Sequence, residues 1–201
     1  MNRGRTHVGP HPIPSDGRQP HQTAQRDDGR WGAALITLLL GGARSGKSAI
    51  AEALAARAGL PVTYVATGTA TDEDMAERID RHRARRPAEW HTVEAGEDLT
   101  AALGAITGTV LIDALGTWVA RVDGFDVDTD GLCALLSSRS GTTIVVSEEV
   151  GMGVHPSTEL GRRFRDALGE VNRAVADVAG EVLLVVAGRV LPLAPFAPGP
   201  S

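Results

Sequence analysis

Lys47 and Ser48 close the run Gly41-Gly42-Ala43-Arg44-Ser45-Gly46-Lys47-Ser48, whose residue types and spacing suit a chain of phosphates. A triphosphate carries several negative charges that must be matched without bulky side chains in the way. Glycines let backbone N–H groups turn inward around the phosphates, and a helix starting at the end of the run presents its positive end to them. The lysine reaches the terminal phosphates, and the serine hydroxyl can ligate Mg2+. Every fixed position of the phosphate-loop pattern G-x-x-x-x-G-K-[ST] is filled. An apolar run, Leu35-Ile36-Thr37-Leu38-Leu39-Leu40, precedes it and an Ala-rich helical segment follows. That strand-loop-helix context is what the pattern requires, and the chain is expected to bind a nucleotide.

Further groups could work on the bound nucleotide. Val110-Leu111-Ile112-Asp113 reads as a buried strand ending in a carboxylate, which would set Asp113 beside the phosphate loop to hold Mg2+ directly or through water. The plainer alternative for Asp113 is a helix cap or loop charge. A second strand end, Val145-Val146-Ser147-Glu148-Glu149, offers a glutamate to orient a substrate hydroxyl or act as a general base, or else two solvated loop charges. The least ordinary stretch is Arg78-Ile79-Asp80-Arg81-His82-Arg83-Ala84-Arg85-Arg86-Pro87, one histidine among five arginines. A solvated basic helix end explains it blandly, since cations are favoured there. The sharper reading is an anion site with a nucleophile in it. Neighbouring guanidinium groups lower an imidazole pKa, keep His82 neutral at pH 7, and neutralise a phosphate while a histidine–nucleotide bond forms. His91 and His155 lack such company and read as structural or exposed, and Cys133, in Leu132-Cys133-Ala134-Leu135-Leu136, as a buried structural thiol.

The elements that must position these groups alternate. Strands are expected at Leu35–Leu40, Val62–Val65, Val110–Ile112, Thr143–Val146 and Val182–Val186. Helices are expected at Ser48–Ala58, about Asp72–Arg85, near Glu97–Ile106, Gly131–Ser138 and about Ser157–Ala179. Apolar strands separated by helices imply an α/β fold, a mostly parallel sheet covered on both faces. Residues 1–32 are dense in Gly, Pro, His, Gln and charge and are expected to form a disordered tail, its three histidines too irregularly spaced for a metal tract. The folded domain is expected over 33–193, with a Pro-rich stretch from Pro192 fraying into a tail at 194–201. The formal charge of −5 disfavours a general nucleic-acid binder, and one cysteine excludes an internal disulfide framework. With no apolar run of spanning length and no signal-peptide pattern, a soluble cytoplasmic protein is expected. The residues alone leave open a P-loop kinase of some small metabolite and a non-catalytic GTP- or ATP-binding regulatory module.

Taken together the blocks resemble the bifunctional adenosylcobinamide kinase/adenosylcobinamide-phosphate guanylyltransferase family of cobalamin biosynthesis. The likeness runs from about Thr37 to Leu193: Gly41 through Ser48, Tyr64-Val65-Ala66-Thr67, Arg78-Ile79 with His82-Arg83, Arg86-Pro87 and Trp90, then Asp113 with Trp118-Val119, Glu149-Val150-Gly151, and Gly188-Arg189-Val190-Leu191-Pro192. The resemblance implies a RecA-like P-loop domain, commonly a trimer, with Mg2+ as cofactor, GTP and ATP as nucleotide substrates, and a corrinoid substrate. It implies phosphorylation of adenosylcobinamide, then transfer of GMP from GTP through a histidine–GMP intermediate at His82. By the same resemblance the nucleotide contacts fall on the phosphate loop, on Ala66, Thr67 and Gly68, on Arg83, Ala84, Arg85 and Arg86, and on Glu94 and Asp113. Lys47 and Glu149 join His82 as candidate catalytic residues, and Ser48 and Asp113 are the metal ligands. Glu148 departs from the pattern, standing where many relatives carry Asn.

Overall fold

Along β1 (Ile36–Gly41) every residue is buried, and alternation sends Ile36, Leu38 and Leu40 to one apolar cluster and Leu39 to another. A strand buried on both faces must lie inside its sheet with layers on either side. The computed structural model, which describes residues 35–59, 61–68, 77 and 83–196, places it there. The other strands are β2 (Val62–Ala66), β3 (His91–Glu94), β4 (Thr109–Asp113), β5 (Thr143–Glu148), β6 (Glu181–Val186) and β7 (Arg189–Leu193). They form one sheet in the order β3-β2-β4-β5-β1-β6-β7, parallel throughout except for the antiparallel β6–β7 pair.

Among the described helices, α1 (Lys47–Ala58) covers one face, packing Ala51, Leu54 and Ala55 with Leu39, Tyr64, Leu111 and Trp90. The other face carries α2 (Leu99–Gly104), α3 (Leu115–Arg121), α4 (Thr129–Ser138) and α5 (Glu159–Val178), which bury Leu103, Trp118, Leu132, Leu168 and Val175 among others. This is the α/β P-loop architecture expected, and β5 intervenes between the phosphate-loop strand β1 and the Asp113 strand β4.

Three elements were not anticipated. Strand β3 is polar and mostly exposed, so it lacks an apolar signature. Helix α3 is only seven residues long and starts after Ala114, which offers no side-chain cap. Strand β7 takes in Pro192 and Leu193, where fraying was expected. Proline is tolerated there because β7 is the sheet edge, where a missing N–H breaks no outer ladder. Cys133 is half-buried rather than fully buried; desolvation still pushes its thiol pKa up, the charges of Asp130 and Asp177 adding to it. The helix expected over 72–85 lies mostly outside the described residues, Glu77 and 83–85 being its helical described part. The expected tail at 1–32 lies outside them altogether. Among the described residues no helix is long and apolar enough to cross a membrane.

Candidate functional site

The phosphate loop is shaped by what leaves no room for a side chain. A Cβ at Gly41 would fall 2.6 Å from the Val185 carbonyl oxygen and 2.8 Å from Ser45 Oγ, and Gly46 sits at φ 96° against Gly188. The turn between β6 and β7 braces the loop from behind, the Gly188 N–H donating to the Ser45 carbonyl at 2.8 Å. Helix α1 begins at Gly46 with no side-chain cap, so its first-turn N–H groups are left to an anion. Gly42, Ala43 and Arg44 are exposed along the mouth.

Lys47 is buried at 3% exposure, donating to the Gly42 carbonyl at 3.3 Å and pairing with Glu148 Oε1 at 3.7 Å. Glu148 is itself fixed. Its Oε2 accepts from the Gly116 N–H at 3.1 Å, and its carbonyl accepts from Asn172 Nδ2 at 3.0 Å. The neighbouring Glu149 N–H donates to the Gly41 carbonyl at 3.1 Å, while Glu149 Oε1 accepts from Gly151 N–H at 2.8 Å. The strand end thus sends one carboxylate to the lysine and the other into its own turn.

Asp113 stands on the opposite flank. Ser48 Oγ donates to its Oδ1 at 3.3 Å and Tyr64 Oη to its Oδ2 at 2.9 Å. Burial, and then the Asp113 charge, push the Tyr64 phenol pKa well above its ordinary value near 10, so the hydroxyl keeps its proton. Ser48 and Asp113 are hard oxygen donors of the kind Mg2+ takes alongside substrate phosphates. Among the described residues there is no group of three or more His, Cys, Asp or Glu that could hold a metal.

Ala66 is in register with Glu94 on one side and Asp113 on the other, which sets those three at neighbouring strand ends. The buried Thr67 hydroxyl receives the Ala114 N–H at 2.9 Å, donates to the Ala114 carbonyl at 2.6 Å and lies 2.5 Å from Thr117 Oγ1. Gly68 packs against Thr117, and Arg121 ties the Thr67 and Ala95 carbonyls together. Of the basic stretch, Arg83 and Ala84 are exposed, Arg85 pairs with Glu52 of α1 at 3.3 Å, and Arg86 stacks its guanidinium 3.7 Å over the Tyr64 ring while donating to Thr92 at 3.1 Å. His82, with Arg78 and Arg81, lies outside the described residues. His91 opens β3 in an exposed position, and the exposed His155 shares a hydrogen bond with Arg165 at 3.0 Å.

Tyr64 is the site residue whose contacts sequence reasoning missed. The available signal was a polar-tipped aromatic on a buried strand, since a buried phenol needs a hydrogen-bond partner.

Residues 37–193 match the family described as cobinamide kinase / cobinamide phosphate guanyltransferase. The bifunctional adenosylcobalamin biosynthesis protein CobP of Pseudomonas aeruginosa is 42% identical over 165 residues, covering 78% of this chain and 95% of its own. The bifunctional adenosylcobalamin biosynthesis protein CobU of Escherichia coli is 37% identical over 176 residues, covering 77% and 97%. Among solved structures, an ATPase of a bacterial type III secretion system aligns with 74% of this chain and 50% of its own, at TM-score 0.47 and 10% identity.

Proposed function

The chain belongs to the cobinamide kinase / cobinamide phosphate guanyltransferase family, and from that premise we propose how its own residues divide the work. The protein is a bifunctional enzyme of adenosylcobalamin biosynthesis, acting as a cobinamide kinase and a cobinamide phosphate guanylyltransferase on a corrinoid with nucleotide substrates.

In the kinase half, the phosphate-loop N–H groups and Lys47 hold the triphosphate of ATP or GTP. The corrinoid hydroxyl attacks the γ-phosphorus, its proton passes to a carboxylate, and the nucleoside diphosphate leaves. Glu148 being engaged by Lys47, we assign the orienting and proton-accepting role to Glu149. Ser48 and Asp113 hold Mg2+, which supplies charge neutralisation on the phosphate oxygens.

In the transferase half, His82 attacks the α-phosphorus of GTP. An N–P bond forms and pyrophosphate leaves. An oxygen of the corrinoid phosphate then attacks the same phosphorus and the imidazole departs. Direct reaction would bring two anions together; a neutral imidazole avoids part of that repulsion and splits one difficult displacement into two. Arg83, Arg85 and Arg86 flank the charge that develops, and Ala66, Thr67, Gly68, Ala84 and Glu94 complete the nucleotide contacts. The protein acts in the cytoplasm as a homo-oligomer, a trimer by family resemblance, and takes no nucleic acid.

The observation that carries this reading is the convergence of Lys47, Ser48 and Asp113 on one loop mouth, with the Arg85–Arg86 segment packed against α1 and β2 beside it. The test is incubation with Mg2+ and GTP labelled at the α-phosphate, followed by denaturation. Acid-labile label on the wild type and none on His82→Ala, which keeps some kinase activity while Lys47→Ala impairs both reactions, is the expected result. Full GMP transfer by the His82 variant would sink the covalent route.

A further inference from the structure

Tyr64 is the single tyrosine of the chain, and it lies between the two regions to which the proposed function assigns its chemistry. On one side its hydroxyl holds Asp113 Oδ2 at 2.9 Å; on the other its ring carries the Arg86 guanidinium at 3.7 Å. The side chain is 5% exposed and packed among α1 and β4 residues, so it has little room to turn. A carboxylate held through one oxygen presents the other in a fixed direction. Here that other oxygen, Oδ1, faces Ser48 Oγ at 3.3 Å. The phenol has no position among the nucleotide or metal contacts assigned above, yet it touches a member of each set.

Resting on the reading that Ser48 and Asp113 hold Mg2+, we infer that Tyr64 is a positioning residue that aims the Asp113 carboxylate at the metal and links that aim to the seating of the arginine-rich segment through Arg86. Two consequences separate this role from mere core filling. Removing the hydroxyl while keeping the ring takes away the bond that fixes Asp113 Oδ2 but leaves the Arg86 stack in place. Removing the guanidinium leaves the hydroxyl bond but changes the electrostatic surroundings of the ring. Outer groups that orient a metal ligand typically matter by about 10–100-fold in metal affinity.

The experiment is a titration of GTP onto the full chain by calorimetry, with Mg2+ at a series of concentrations and with chelator alone. In Tyr64→Phe the Mg2+ concentration for half-maximal tightening is expected to rise about tenfold. Affinity in chelator is expected to stay within about twofold, and excess Mg2+ to restore wild-type binding. In parallel, wild-type protein carrying tyrosine labelled with 13C at Cζ alone gives one labelled aromatic signal, the chain having one tyrosine. That signal is expected to move on adding Mg2+ to the GTP complex and to start from a different position in Arg86→Ala. An unchanged Mg2+ midpoint in Tyr64→Phe would overturn the inference, and so would a tyrosine signal indifferent to Mg2+. Absence of any Mg2+-dependent GTP binding by the wild type would instead overturn the nucleotide reading beneath it.

Discussion

Lys47 and Glu148 face each other at 3.7 Å across the mouth of the phosphate loop, the lysine almost fully buried and the glutamate about one quarter exposed. The lysine that must reach the terminal phosphates is therefore shared with a carboxylate, and an arriving nucleotide has to draw it away. Glu148→Gln keeps an oxygen for the Gly116 N–H but removes the competing charge. Nucleotide affinity is expected to rise about fivefold, the equivalent of ~1 kcal/mol for a partly exposed pair. The unliganded protein is expected to melt earlier, because the buried Lys47 then loses the carboxylate it pairs with. Calorimetric titration and a thermal melt check both; unaltered affinity would mean that the pair does not hold the lysine back.

Thr67 spends its hydroxyl on both backbone groups of Ala114, the residue that follows Asp113. Thr67→Val keeps the shape but removes the buried hydroxyl, leaving those groups to Thr117 Oγ1 and the Trp118 N–H. The expected loss is about 0.5–1.5 kcal/mol, or roughly 1–6 °C in Tm for a domain of this size. Weaker nucleotide binding is expected with it, since Asp113 loses its anchored neighbour. A melting curve that overlays the wild type would show that the pocket relaxes around valine at no cost.

Asp98 caps α2, accepting from the Ala101 N–H at 2.8 Å and Thr100 Oγ1 at 2.7 Å, and these bonds lower its pKa, the Ala101 bond contributing most. A carboxylate with a depressed folded pKa stabilises fully above its unfolded value of about 3.9 and loses that contribution as pH falls through the folded one. The Tm gap between wild type and Asp98→Asn is therefore expected to be steady at neutral pH and to narrow below about pH 4. A gap independent of pH would assign the cap to the hydrogen bonds alone, without charge.

Much of the site was legible because its chemistry leaves few choices. Residues Gly41 through Ser48 fill a pattern in which each fixed type has one physical reason, and a buried strand closing in Asp113 needs only a parallel sheet to bring it alongside. Glu148 and Glu149 could not be told apart by type. The structure separates them because β5 ends at Glu148, which pairs with Lys47, while Glu149 already lies in the turn to Gly151. Strand β3 escaped notice because an exposed edge carries no apolar alternation, and β7 because Pro192 reads as an ending until the strand is seen at the sheet margin. The tie between Arg86 and Tyr64 joins residues far apart in sequence, and no local pattern records such a stack.

The hydrogen bond from Gly188 to Ser45 also bears on how the protein comes into being. A ribosome delivers the phosphate loop well before its brace. Until β6 arrives, β1 has its β5 neighbour but an open second edge, and the loop above it lacks the support of the closing turn. The backbone support that shapes the loop is complete only once the β6–β7 hairpin has joined the sheet. A chain without that hairpin would carry the whole phosphate-binding sequence and lack both the β6 neighbour of β1 and the Gly188 bond behind the loop.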